Sequence, residues 1–133
     1  MITPFPISPE ELTTHWLSAV LDCQVNAFSV KPLGEGVGIL GLVTRVTLEG
    51  EGCPKTLIAK FQSPVADNRA VAGLYQMYER EITFYTEIAP TLTIRAPSCF
   101  HAGYDPDSRA FVLLLEDLDQ YEIGDQVAGC SIA

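Results

Sequence analysis

Lys60 and Glu81 are the two residues of the 133-residue chain whose surroundings demand a chemical explanation. Lys60 is the one cation in Thr56-Leu57-Ile58-Ala59-Lys60-Phe61, a run otherwise apolar or β-prone. An ammonium there either snorkels at a strand end or meets a buried anion. Glu81 belongs to a helix-periodic stretch, about 66–89, in which Leu74, Tyr75, Met77, Tyr78, Ile82, Phe84, Tyr85 and Ile88 recur. At about 100° per residue these fall on one arc of roughly 160° with Glu81 near its middle. Glu79, Arg80, Thr83, Thr86 and Glu87 fall outside it. A carboxylate centred on a core-facing stripe costs several kcal/mol unless paired, so Glu81 rather than Glu79 requires a cation. Lys60 is the candidate, and the alternative is a rotated helix on which Glu81 reaches solvent.

A glycine segment could lie over this pair. In Gly34-Glu35-Gly36-Val37-Gly38-Ile39-Leu40-Gly41-Leu42-Val43, the residues Gly36, Gly38, Gly41 and Val43 fill the frame G-x-G-x-x-G-x-V. Without side chains in the way, backbone amides of such a loop can approach a phosphate. Phe28, Val30 and Leu33 precede it, and Leu42-Thr44-Val46-Leu48 alternates with Val43-Arg45-Thr47-Glu49 after it. Period two predicts strands on both sides, whereas a dinucleotide fingerprint runs from a strand into a helix.

The positioning elements follow in chain order. Ser8-Pro9-Glu10-Glu11 predicts an N-cap, a proline in the first turn and a capping-box glutamate. The helix so started carries Leu12, Trp16, Ala19 and Val20 and ends near Leu21 or Asp22. His15 within it has no identifiable carboxylate partner and reads as surface or packing. Strands are expected at about 26–33, from the glycine segment to Glu49, at 56–61, 98–104 and 110–115. Gly50, Gly52 and Pro54 make one turn, and Asp105-Pro106-Asp107-Ser108 another. Pro90 ends the long helix. Ala110-Phe111-Val112-Leu113-Leu114-Leu115 is a continuous apolar run typical of an interior strand, and it stops at Glu116-Asp117-Leu118-Asp119-Gln120.

Composition narrows the partners. With 47% hydrophobic and 19% charged residues the chain can bury one domain's core. A net charge of -9, with eight scattered Lys and Arg, disfavours nucleic acid and anionic membranes. Met1-Ile2-Thr3-Pro4-Phe5-Pro6 is not leader-like, and no stretch nears the roughly 18 apolar residues of a membrane span. A cytoplasmic protein is expected. Cys23, Cys53, Cys99 and Cys130 form no C-x-x-C pair, which predicts reduced, buried thiols rather than a disulfide frame or zinc site. Cys99 and His101 read as packing, and no metal ligands are assigned. After Gly124-Asp125-Gln126-Val127-Ala128-Gly129-Cys130-Ser131 the chain stops without a helix stop signal, so the sequence is expected to be part of a longer one.

This order of elements resembles the N-terminal lobe of the protein-kinase-like superfamily. More narrowly, Leu113-Leu114-Leu115-Glu116-Asp117-Leu118, Tyr78-Glu79-Arg80-Glu81-Ile82-Thr83-Phe84-Tyr85 and Gly124-Asp125-Gln126-Val127-Ala128-Gly129-Cys130 look like the aminoglycoside phosphotransferase and choline kinase group. Its ecdysteroid-kinase-like bacterial branch is the nearest match, over about 33–131. The resemblance implies an α+β lobe over 1–115: a five-stranded antiparallel sheet with one long packed helix and an N-terminal helix. Residues 116–133 would be a hinge and the start of a second lobe.

The resemblance also implies ATP as cofactor. Gly36, Gly38 and Gly41 would cover the triphosphate, Lys60 would contact its phosphates, and Glu81 would hold Lys60. Glu116 and Leu118 would offer a backbone carbonyl and amide to the adenine edge, with Ile58 and Leu115 lining its apolar slot. The aspartate base and the ligands of Mg2+ belong to the C-terminal lobe, for which there is no sequence here. The implied reaction moves the ATP γ-phosphate to a hydroxyl of a small-molecule alcohol, and the 133 residues alone are expected to be inactive. Glu116, Asp117, Asp119, Glu122 and Asp125 read as a solvated acidic face, not a magnesium or cationic-substrate site. Self-association is expected through the surface a second lobe would cover, near 118–127 and the rim of the helix. Two other readings stay open. One is a non-catalytic α+β binding module with Lys60 in a surface ion pair, and the other a truncated relative with an interaction role.

Overall fold

Alternating segments and one unbroken apolar run build a five-stranded antiparallel sheet, β1 Ala27–Pro32, β2 Gly41–Glu49, β3 Thr56–Gln62, β4 Cys99–Tyr104 and β5 Phe111–Glu116. The computed structural model describes residues 4–34, 40–122, 124 and 127–131. Strand order is β1-β2-β3-β5-β4, so β2, β3 and β5 have strands on both sides. Among the described residues, three α-helices complete an α+β fold: α1 Thr14–Leu21, α2 Ala66–Leu74 and α3 Met77–Thr83.

Both sheet faces are covered, which explains why β5 is an unbroken apolar run instead of an alternating one. On the α1 face, Leu17 packs with Val46, Leu57, Ala59, Phe61, Val112 and Leu114. On the α3 face, Tyr78 packs with Phe111, Leu113 and Leu115. The period-two pleat sends Leu57, Ala59 and Phe61 to the first face, and Ile58 and Lys60 to the second.

The helices depart from the sequence pattern in two places. Pro9–Glu11 is only a 3-10 turn; Ser8 makes no side-chain cap, although Glu11 Oε2 does accept from the Ile7 amide at 2.7 Å. Leu12 then goes extended and into the core, and Thr13 caps α1, its Oγ1 accepting from Trp16 N at 3.0 Å. Helix α1 ends at Leu21, with Asp22 left-handed at φ 51°. The expected single helix over 66–89 is divided. Gln76 takes φ 53° between α2 and α3, and a π-helical turn, Phe84–Ile88, then leads into a 3-10 turn at Ala89–Thr91. Gly73, a poor helix former, is wedged where a Cβ would lie 2.3 Å from the Arg109 guanidinium. The break turns Leu74 and Tyr75 outward, 74% and 59% exposed, so the apolar arc does not act as one buried stripe.

Cys23 and Cys53 form a disulfide, with Cα atoms 5.5 Å apart. This corrects the expectation of four reduced, buried thiols; Cys99 is half-buried and free, and Cys130 is free and exposed. The cause is topological. Antiparallel pairing of β1 with β2, extended by Asn26 N donating to Glu49 O at 2.8 Å, lays the end of α1 against the β2–β3 turn. The approach is so close that a Cβ on Gly50 would lie 1.9 Å from Gln24 O. Among the described residues, no helix is long and apolar enough to cross a membrane.

Thiol titration of the unfolded, unreduced chain is expected to find two free thiols, and the double variant Cys23→Ala, Cys53→Ala to lose about 2–4 kcal/mol in urea unfolding. Four titratable thiols without reductant would contradict the bond.

Candidate functional site

Lys60 sits in β3 opposite Val43 of β2 and Leu113 of β5. Flanked by apolar residues in register, its amine can leave the sheet only on the α3 face. There Lys60 Nζ donates a hydrogen bond to Glu81 Oε1 of α3. Both side chains are a little over a quarter exposed, at 27% and 29%. Glu79 points elsewhere and accepts a hydrogen bond from the Tyr104 hydroxyl of β4. Burial, with that hydrogen bond second, pushes the Tyr104 hydroxyl up to about 12.

The ion pair opens onto a cavity of about 890 Å³ lined by Gly41, Val43, Lys60, Glu81, Phe84 and Tyr85, among others. Burial raises the Tyr85 hydroxyl above its ordinary value, while the neighbouring Lys60 cation opposes the shift. An ammonium has three donors, and Glu81 engages one. A mostly apolar hollow whose lining holds the carboxylate-steadied Lys60 and also Arg80 suits an anion carried on an apolar or aromatic body, and the volume lies within the ~300–1,000 Å³ common for small-molecule sites.

Gly41, Lys60 and Glu81 therefore meet around one hollow. Gly36 and Gly38 lie outside the described residues. Gly41 also has a packing reason to be glycine, because a Cβ there would lie 3.3 Å from Phe61 O. Ile58 and Leu115 pair across β3 and β5 and pack in the α3-face core, without lining the cavity. Nor do Glu116 and Leu118 line it. The Glu116 carboxylate takes two hydrogen bonds from Arg95, at 3.0 and 2.6 Å, and one from the Ser98 amide at 3.1 Å. The Arg95 guanidinium holds that carboxyl below its usual range. Leu118 O accepts from Tyr121 N at 2.9 Å.

The acidic segment is not the uniformly solvated face expected. Asp117 is 5% exposed in its side chain and accepts from Arg45 Nε at 2.7 Å and Nη2 at 3.3 Å. Arg45 Nη2 also reaches Asp119 at 3.2 Å. Sequence reasoning passed over Arg45, although it is a cation in an alternating strand and the argument applied to Lys60 applies to it as well. Asp125 lies outside the described residues. His15 is exposed. A β-bulge between Cys99 and His101 sends them to opposite faces: Cys99 packs in the α3-face core, and the His101 ring meets Trp16 of α1 edge-on at 5.4 Å. Burial lowers the His101 pKa. Among the described residues, no group of three or more His, Cys, Asp or Glu could hold a metal ion.

No protein-family model, no curated protein and no solved structure matches the chain.

Asp117 generates a pH prediction. Its hydrogen bond from Arg45 lowers its pKa from 3.8, so the folded value lies beneath the unfolded one. The stabilisation is complete above the unfolded value and is lost as pH falls through the folded one. Asp117→Asn is therefore expected to cost about 1–2 kcal/mol near neutral pH, and the gap from wild type to close in strong acid. A gap independent of pH in urea titrations would rule out the ion pair as its source.

Proposed function

We propose that the chain is the ATP-binding lobe of a small-molecule phosphotransferase of the aminoglycoside phosphotransferase and choline kinase group, nearest its ecdysteroid-kinase-like branch. The observation that carries the reading is the Lys60–Glu81 contact, made at the wall of an open hollow whose rim includes Gly41. Phosphoryl transfer depends mainly on positioning and electrostatics, and a lysine tethered by one carboxylate presents its charge at a fixed point. In this reading Lys60 holds phosphate oxygens, Glu81 keeps the ammonium from swinging, and Gly36, Gly38 and Gly41 let backbone amides come close.

When bound, ATP supplies the transferable phosphoryl group. In this reading the adenine lies beyond the hollow that Lys60 and Glu81 line, with Ile58 and Leu115 beneath it and the backbone of Glu116 and Leu118 at its polar edge. The aspartate base and the ligands of Mg2+ come from a second lobe outside these 133 residues, so the lobe alone turns over nothing. The acceptor is the hydroxyl of a small molecule. Met77 on α3 and Tyr121 beyond β5 are exposed in the two regions, the helix rim and 118–127, through which self-association is proposed. A cytoplasmic location goes with this function.

Calorimetric titration with ATP and Mg2+ tests the reading. Lys60→Ala is expected to weaken binding by about tenfold to a hundredfold, the range for losing a charge-assisted hydrogen bond, with the circular dichroism spectrum unchanged. Equal affinity in the two proteins would favour the non-catalytic module, in which Lys60 is only a surface ion pair.

A further inference from the structure

Tyr78 is buried, 4% exposed, where three parts of the chain converge. Its ring stacks on Phe111 of β5, with centroids 4.3 Å apart and planes 22° from parallel. Its hydroxyl donates to Leu40 O at 2.5 Å and accepts from Ser63 N at 3.1 Å. Leu40 immediately precedes β2 and Ser63 immediately follows β3, so one hydroxyl ties together the two strand ends beyond the Gly41–Gln62 pair. Glu81 lies three residues after Tyr78, on the same side of α3. The left-handed turn at Gln76 separates α3 from α2, which lets α3 adopt the roll that aims both side chains at the sheet.

We infer that Tyr78 is a positioning residue of the phosphate site. Its hydroxyl latches the residue leading into β2 onto α3, so that the end of the glycine segment and the carboxylate holding Lys60 move as one body. Core packing alone does not account for the hydroxyl. A phenylalanine would fill the same space and stack on Phe111, but it could not serve polar partners 38 residues upstream and 15 residues upstream. Ser63 is itself buried at 3% exposure, so its amide has no ready exchange for that partner in water. The functional half of the inference rests on the nucleotide reading proposed above, whereas the latch stands on its own geometry.

Tyr78→Phe, compared with wild type and Lys60→Ala by residue-resolved amide exchange and by ATP titration, separates the two. In Tyr78→Phe the amides of Ser63, Leu42 and Val43 are expected to exchange about tenfold faster, those of α1 to stay as they were, and ATP affinity to fall several-fold. Unchanged exchange at those three amides overturns the latch, whatever ATP does. Faster exchange with undiminished ATP affinity, alongside weakened binding by Lys60→Ala, overturns the positioning role and leaves the nucleotide reading intact. Absence of ATP binding by wild type overturns the nucleotide reading and the positioning role together, and exchange still decides the latch. Should Tyr78→Phe not fold, wild type decides: ATP is expected to raise protection at Leu42, Val43 and the α3 amides with one shared concentration dependence, and protection confined to β2 overturns the coupling.

Discussion

An ammonium on an interior strand dictates the arrangement around it. Lys60 has a strand on either side, so its ammonium leaves the sheet on the α3 face, where Glu81 meets it at the wall of the open hollow. The helix that meets it is thereby restricted in its roll. Glu79 and Glu81 are about 200° apart around a helix axis, and they reach opposite ways, to Tyr104 on β4 and to Lys60 on β3. Because β5 lies between those two strands, α3 is held astride β5 like a beam on two supports.

The same economy of positive charge recurs at the end of β5. A chain of net charge -9 has few cations to distribute. Arg45 and Arg95 grip successive carboxylates there, Arg45 taking Asp117 and Asp119 while Arg95 takes Glu116. The acidic segment is thus fastened to β2 on one side and to the approach to β4 on the other. Exposed pairs of this kind contribute little to stability, but the near-burial of Asp117 makes its pair a matter of geometry as well as charge.

Legibility varied with how local the governing physics was. Strands β1 and β2 followed from alternation, β5 from its continuous apolar run, and the Lys60–Glu81 contact from a solvation argument that needs only two periodicities. The break at Gln76 was not readable, since glutamine gives no signal for a left-handed backbone and the apolar period continues through it. The bulge at Phe100 was equally silent: strict alternation would put Cys99 and His101 on one face, and a single extra residue puts them on two. Arg45 and Asp117 are 72 residues apart, a separation over which neither periodicity nor spacing carries information.

The residues by themselves determined where strands and helices arise and that two charges, set in apolar runs, each required an opposite partner, because period and desolvation act within a few residues of chain. Only the tertiary structure decided which cation closed on which acid in the acidic segment, that Cys23 and Cys53 became neighbours, and that the hydroxyl of Tyr78 bridged two strand ends. Those outcomes depend on strand order and helix roll. Such quantities are set by the summed packing of distant segments and are written in no single stretch of sequence.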